Sequence, residues 1–457
     1  MRHLFGTDGI RGVAGEYPLD AATVERIGLA LGWTLREEER VENPRVLLGK
    51  DTRESGAALE ADLARGLGSA GVAVSLAGVV TTPAVAFMTV AGGFDAGVVL
   101  SASHNAYHDN GIKVFSRQGM KLPDAEEMGI EKRILGDSFK PPRRPSPPPV
   151  AAEDLLEGYL GFLARSVGGG HPFTGLRVAL DCAHGATSGI APEIFRRLGA
   201  ATFVMGNEPD GRNINAGCGS LHPDGLASML REKSADIGFA YDGDGDRVVL
   251  LDRSGRTLDG DFILYLAALD LKEQGKLAGE TVVATVMSNL WLEKALGGLG
   301  VAMLRAPVGD KYVLEAMLRG GFNLGGEQSG HIIFLGDATT GDGVLTSIKI
   351  LDLLRRRRMD LSAWASTVTR CPQVLLNVRV ASKPPLDSVA EIREAVARAE
   401  RELAGAGRVL LRYSGTEPIL RVMVEGEDES RISRTASELK DLVAAHLGGS
   451  GAGSSTP

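Results

Sequence analysis

The sequence predicts an α/β protein of several domains. Three observations carry this: apolar strand-like runs alternate with amphipathic helical segments, the 457-residue length exceeds what one core organises, and patterned breaks divide the chain. The alternation favours mixed or parallel sheets. The clearest break is FKPPRRPSPPPV, ending at Val150, because proline at this density continues neither helix nor sheet. Softer breaks fall near Thr257, after the run VVLLD and its turn, and near Cys371, where a helical segment yields to the alternating run QVLLNVRV. The expected domains are residues 1–150, 151–256, 257–370 and 371–447, each of roughly 75 to 150 residues. A low-complexity tail, 448–457, is expected to be flexible.

In the first domain the run VVL, ending at Leu100, stops abruptly at SASHN, which places Ser103 in a turn with His104, Asn105 and, further on, Lys113. Strand ends in α/β proteins are where ligand chemistry collects, because the sheet aims a loop that stays accessible. A serine flanked by an imidazole, an amide and an ammonium suits the transfer of an anionic group; an ordinary polar turn is the rival reading. FGTDGIRG and GKDTR add Arg11, Lys50 and Arg53, with Arg11 singled out because its Gly/Asp loop can hold a long cation against an anion. Arginines in turns are otherwise usually solvated or paired. The lone residues His184 and His222 read as structural.

The second domain carries IGFAYDGDGDRVVLLD, with Asp242, Asp244 and Asp246 on alternate residues between two apolar runs. Three crowded carboxylates raise each other's pKa unless a cation joins them, and a hard divalent ion with oxygen ligands, Mg²⁺ above all, resolves the conflict. Gly243 and Gly245 let the backbone turn sharply enough for the side chains to converge. An EF-hand is excluded, since its sixth position would be Arg247 and its twelfth Arg253. Arg247 suits a phosphate contact or a local ion pair.

The third domain presents LGGEQSGHIIF. Glu327 and Ser329 can grip vicinal sugar hydroxyls, and His331 can shuttle a proton near neutral pH. The fourth presents RYSGTEPILRVMVEG, where Ser414, Gly415 and Thr416 form a turn of hydroxyls and N–H groups between Arg412 and Arg421. Such a nest binds a dianionic phosphate, and the absence of GxxxxGK[ST] separates it from nucleotide P-loops. The first three domains thus share one plan, an apolar run ending in a chemistry-bearing loop, as three related units aimed at one cleft would.

Composition narrows the class further. A formal charge of −8 without a basic block argues against nucleic acid as a partner. Cys182, Cys218 and Cys371 form no CxxC pair, which points away from a disulfide framework or zinc and toward a reducing cytoplasm. The opening MRHLFGTDGIRG has no apolar leader, and no later run is long enough to span a bilayer.

Taken in order and at these intervals, SASHN, DGDGDR, GEQSGH and RYSGTEP resemble the α-D-phosphohexomutase superfamily over nearly the whole chain, the tail excepted. FGTDGIRG, NINAGCGSLHPD, VGDKYV and TGDG are similar to the branch of that superfamily that acts on glucosamine phosphates. The resemblance implies three tandem α/β domains with mixed sheets and a smaller C-terminal α+β domain around a central cleft. It implies that Ser103 is the phosphoserine and that its phosphate oxygen, with Asp242, Asp244 and Asp246, holds Mg²⁺. Arg11, His104 and Lys113 would surround the transferring phosphoryl group, Glu327 and Ser329 would bind sugar hydroxyls, and Arg412, Ser414, Gly415 and Thr416 would grip the phosphate that is not reacting. The general base stays open between His331, Arg247 and Lys113. The implied activity interconverts glucosamine 6-phosphate and glucosamine 1-phosphate through a 1,6-bisphosphate, feeding UDP-N-acetylglucosamine synthesis, with a homodimer as the implied assembly. A glucose or mannose phosphate as substrate, a metal-dependent sugar phosphatase and a sugar-phosphate sensor are the rival functions. Two positions depart from the family pattern, Ala106 where proline follows SHN and Leu221 where threonine is common; neither removes a group that does chemistry.

Overall fold

A computed structural model describes residues 4–6, 8–152, 154–403, 405–414 and 417–448. Most of the expected flexible tail, from Gly449 onward, therefore lies outside the described residues. The chain divides into two compact units, one of residues 1–287 with 299–366, the other of residues 288–298 with 367–457.

Within the first unit the described strands build three mixed sheets. The first contains β1 (Phe5–Gly6), β2 (Gly9–Val13), β3 (Arg45–Lys50), β4 (Ala73–Val79), β5 (Ala96–Leu100), β6 (Asp109–Ser116) and β7 (Val150–Ala151), in the order β1-β2-β6-β5-β3-β4-β7. The second contains β8 (Arg177–Asp181), β9 (Ala201–Met205), β10 (Ile237–Tyr241), β11 (Val248–Asp252) and β12 (Thr257–Leu258), in the order β12-β11-β10-β8-β9. The third contains β13 (Thr281–Thr285), β14 (Ala302–Ala306), β15 (Leu324–Gly326) and β16 (Ile332–Phe334), in the order β14-β13-β15-β16.

One device recurs in all three. A strand that lies parallel to its inner neighbour turns through the chemistry-bearing loop and returns antiparallel: β5 to β6, β10 to β11, β15 to β16. β5 (AGVVL) and β10 (IGFAY) are buried along their whole length, which explains why they read as continuous apolar runs without alternation. Helices around these sheets start where short acceptors satisfy free N–H groups: Asp20 caps Ala21–Trp33, Thr81 caps Thr82–Ala91, Asp259 caps Gly260–Glu273 and Asp342 caps Gly343–Arg357. The proline-dense linker ends differently from a free spacer. Val150 and Ala151 pair with Ser75 and Leu76, so its last residues become the edge strand of the first sheet.

The second unit is smaller. β17 (Gln373–Arg379), β18 (Gly407–Tyr413) and β19 (Ile419–Gly426) form an antiparallel sheet in the order β17-β19-β18. The helices Ala390–Leu403 and Glu429–Leu447 cover one face with Ile392, Leu403, Ile432, Leu439 and Val443, packed on Leu420, Val422 and Val424. Residues 288–298, with the helix Leu290–Gly298, belong to this unit. No helix among the described residues is long and apolar enough to cross a membrane.

Candidate active site

Ser103 sits in the β5–β6 turn, fully buried, with a φ of +54° that places it in the left-handed region. Its Oγ–H donates to Asp242 Oδ2 at 2.5 Å, and its Oγ lies 3.4 Å from His104 Nδ1. The serine and metal-type loops, 139 residues apart in sequence at this pair, thus meet through side-chain hydrogen bonds. Gly243 lets them meet: a Cβ there would come within 2.6 Å of Ser103 O and 2.7 Å of Ile214 Cδ1.

Asp242, Asp244 and Asp246 are all buried, with ligand oxygens within 4.8 Å of one another. Asp244 accepts from Thr82 Oγ1 at 2.6 Å and from Lys113 Nζ at 2.7 Å, while Asp242 Oδ1 accepts from Arg247 N–H at 3.2 Å. Burial, with Asp246 and Asp244 beside it, pushes the Asp242 carboxyl well above the usual carboxylate range. Burial acts on Asp246 the same way, but Lys113, His331 and Arg247 outweigh it and hold that carboxyl low. Asp244 Oδ1 and Asp246 Oδ1 are buried and accept no hydrogen bond. Orphaned carboxylate oxygens on converging side chains are what an oxygen-ligated divalent cation satisfies, so the residues present fit such an ion.

Around the triad lies a belt of alternating charge. Lys113 Nζ reaches Asp244, Asp246 at 3.4 Å and Asp8 at 3.0 Å. Asp8 also pairs with Arg11 and, at 2.5 Å, with Lys121, which continues to Asp310 at 2.5 Å. Asp310 lies 3.5 Å from His331 Nε2, and His331 Nδ1 lies 3.6 Å from Asp246 Oδ2. Burial disfavours the Lys113 ammonium, yet Asp244, Asp8 and Asp246 hold its pKa well above the usual lysine range, so it is a fixed cation at neutral pH.

Two imidazoles have their protons placed by their neighbours. A guanidinium can only donate, and Arg247 Nη1 stands 3.1 Å from His104 Nδ1, which leaves the His104 proton on Nε2. Burial, with Arg247 and Arg11 adding to it, pushes His104 down to about 4, so the ring is neutral. His331 Nε2 accepts from Gly341 N–H at 2.9 Å, which turns its Nδ1–H toward Asp246. Burial alone would lower His331, but Asp246 and Asp310 raise it above its ordinary value.

The third loop lies beside these. Glu327 Oε1 accepts from Gly309 N–H at 3.0 Å, Ser329 Oγ lies 3.5 Å from Glu327 Oε2, and Val248 N–H donates to Gly330 O at 3.1 Å, tying this loop to β11. Gln328 turns inward, its Nε2 3.3 Å from Asp261 Oδ2. In the second unit Arg412 and Arg421 are direct partners across the β18–β19 ladder. Burial and the Arg421 charge pull the Arg412 guanidinium below its ordinary pKa. Ser414 is buried, its carbonyl held by Lys383 Nζ at 2.6 Å; Gly415 and Thr416 lie outside the described residues.

The first unit thus brings together Ser103, His104, Lys113, Arg11, the three aspartates, Arg247, His331, Glu327 and Ser329. Sequence reasoning passed over Asp8, Lys121, Asp310 and Asn215. Asp8, Asn215 and Asp310 stand inside FGTDGIRG, NINAGCGSLHPD and VGDKYV, whereas Lys121 carries no signal of its own. Lys50 is paired with Glu60, and Arg53 is turned onto the serine loop's backbone.

Comparison with known proteins agrees with this layout. The chain matches the family models for phosphoglucomutase/phosphomannomutase, alpha/beta/alpha domain I over residues 2–141, domain II over 164–255, domain III over 259–371 and the C-terminal domain over 375–442. It is 47% identical over 450 residues to a phosphoglucosamine mutase of Syntrophotalea carbinolica, covering 98% of each chain. It is 45% identical over 456 residues to the phosphoglucosamine mutase of Citrifermentans bemidjiense, covering 99% of this chain and 100% of that one. Among solved structures it superposes on a phosphoglucomutase/phosphomannomutase family protein of Burkholderia thailandensis with a TM-score of 0.78 and 25% identity, covering 96% of this chain and 97% of the other. The N-acetylphosphoglucosamine mutase of Aspergillus fumigatus, solved with GlcNAc-6P and magnesium, shares the fold at a TM-score of 0.64 and 19% identity, covering 96% of this chain and 95% of the other. Four domain matches in chain order and full-length relatives near this level of identity give one result: the chain belongs to the phosphoglucomutase/phosphomannomutase family, within the α-D-phosphohexomutase superfamily.

Proposed function

We propose that this chain interconverts glucosamine 6-phosphate and glucosamine 1-phosphate through a phosphoserine at Ser103 and a glucosamine 1,6-bisphosphate. One observation carries the reading: Ser103 Oγ is bonded to Asp242 inside a buried cluster that also contains Lys113, Arg247 and Arg11. The names of the full-length relatives support the substrate.

In the first transfer the anomeric oxygen of glucosamine 6-phosphate attacks the Ser103 phosphorus. The P–O bond to Oγ breaks as the new P–O bond forms, and the proton of the anomeric hydroxyl ends on the departing Ser103 Oγ. The bisphosphate then reorients. Ser103 Oγ attacks the phosphorus on O6, the P–O6 bond breaks as the new P–Oγ bond forms, the serine hydroxyl proton ends on O6, and glucosamine 1-phosphate leaves. Phosphoryl transfer runs through a loose transition state, so in-line placement and cations against the equatorial oxygens matter more than an early base. Lys113, fixed as an ammonium, and Arg247 supply such charge; His104, neutral with Nε2–H, is a hydrogen-bond donor. Asp242, Asp244 and Asp246, with a phosphate oxygen of phosphorylated Ser103, are the proposed holders of Mg²⁺, which would supply positive charge to phosphoryl oxygens. Glu327 and Ser329 are the proposed sugar-hydroxyl ligands, and Arg412, Ser414, Gly415, Thr416 and Arg421 the proposed phosphate ligands. The boundaries near 150, 256 and 370, a homodimer and a cytoplasmic setting belong to the same proposal; three free, buried cysteines suit that compartment.

A second reading keeps the mechanism and changes the hexose, because the Gln328 amide faces Asp261 and is not displayed to a sugar. A coupled assay with Mg²⁺ on glucosamine, glucose and mannose 6-phosphates separates the two. We expect preference for glucosamine and a loss of roughly 10³-fold or more in Ser103→Ala. Preference for glucose or mannose overturns the substrate; activity surviving in the variant overturns the phosphoserine.

A further inference from the structure

We propose that Arg53 and Asn215 are positioning residues that clamp the Ser103 turn by its carbonyl oxygens, so that phosphorus is presented at one point for both transfers. This rests on the mutase reading and adds to it. Ser103 O accepts from Arg53 Nη2 at 3.0 Å and from Asn215 Nδ2 at 2.9 Å. Asn105 O accepts from the same two groups at 2.9 and 3.0 Å, and Ala106 O from Arg53 Nη1. The Arg53 side chain is fully buried and steadied by Asp51 Oδ2, 2.9 Å from Nε. On the other side of the residue, Ser103 N–H donates to Ser101 Oγ at 2.9 Å, and Ser101 Oγ–H donates to Asp51 Oδ2 at 2.6 Å.

Both peptide planes flanking the Ser103 Cα are therefore held. Its Cα–Cβ direction is fixed, and only rotations about the side chain's own bonds are left to the phosphoryl carrier. Held this way, the two carbonyl dipoles point toward Arg53 and Asn215, where their negative ends cannot repel a phosphoserine dianion. The clamp also joins parts of the chain. Thr52 Oγ1 donates to His184 O at 2.6 Å, and Asn215 N–H donates to Ala183 O at 2.9 Å. Ser103, Ala183, His184 and Asn215 all have φ between +49° and +59°, half of the eight non-glycine residues found in that region among those described. Left-handed non-glycine residues persist only where surroundings over-determine them, and here they gather around one turn. A reaction that uses the same serine on opposite ends of a sugar needs that turn in one place twice.

The test is steady-state kinetics with melting temperature and with hydrolysis of ³²P-labelled phosphoenzyme. Asn215→Gly keeps the left-handed backbone and removes both donors. We expect kcat to fall on the order of 10- to 100-fold with KM within about two-fold, and more label lost to water per turnover. Asn215→Asp, which turns a carboxylate onto two carbonyls, should fall further, and it serves alone if the glycine variant melts more than about 5 °C lower. A wild-type chain that interconverts no hexose phosphate overturns the mutase reading and the clamp's catalytic role with it. An active wild type whose Asn215 variants keep kcat within about two-fold overturns the clamp alone.

Discussion

The Asp342 carboxyl caps the helix Gly343–Arg357 by accepting from Leu345 N–H at 2.9 Å and from Tyr159 Oη at 2.8 Å. Burial nonetheless pushes it up to about 6, the hydrogen bonds offsetting only part of the desolvation. The folded state therefore binds this proton more tightly than the unfolded chain does. Stability from the protonated group is full below the unfolded value of about 3.9 and is lost as pH rises to about 6, a loss of about 2–3 kcal/mol. Asp342→Asn keeps an oxygen for Leu345 N–H and removes the titration. Urea unfolding from pH 4 to 7.5 should show a flatter slope in the variant and equal or greater stability at the upper end; parallel slopes would refute the assignment. At this scale the sequence was legible where residue type and spacing already state the chemistry, as in Asp242, Asp244, Asp246 and Ser103. It marked Arg53 only as one cation of GKDTR and passed over Asn215, because their carbonyl partners lie 50 and 112 residues from them and nothing local marks the pairing. Gln328 shows the converse, a side chain in a loop motif whose amide points at Asp261.

Elements were legible when one sheet face or one loop defined them. β17 alternates and is half-exposed, whereas β5 and β10 announce burial by unbroken apolar runs. Which sheet a helix joins is a matter of tertiary packing, and periodicity does not report it. The helix Leu290–Gly298 follows the third sheet's β13 in sequence yet belongs to the second unit. Glu425 of β19 supplies the link: fully buried, it accepts from Leu290 N–H at 2.8 Å and from Arg408 Nε at 2.6 Å. Removing one partner of a buried ion pair is more damaging than the pair is stabilising. Glu425→Ala should cost about 3–5 kcal/mol in chemical denaturation and Glu425→Gln clearly less. A loss under about 1 kcal/mol in the alanine variant would show the link to be incidental.

For the molecule as a whole, the cation proposed for the buried triad would make stability depend on the medium. Any ion bound by the native chain and not by the unfolded one stabilises by mass action, about 2.7 kcal/mol at a hundred times its Kd. Adding Mg²⁺ should raise the melting temperature in a saturable way, and EDTA should reverse the shift; an unchanged melting temperature across millimolar Mg²⁺ would remove the triad as a cation site. Domain count was legible in the breaks between patterned runs, while the fate of the proline-dense linker was not, since strand pairing of Val150 and Ala151 depends on β4, some 75 residues earlier. That pairing has a consequence for how copies of the chain meet. An exposed strand edge is a template for aggregation, and β4 would offer one. Val150 and Ala151 occupy it, and the three residues before them, Pro147, Pro148 and Pro149, have no N–H to extend a ladder. A spacer by composition, this segment is also the seam that keeps the first sheet from growing into its neighbours.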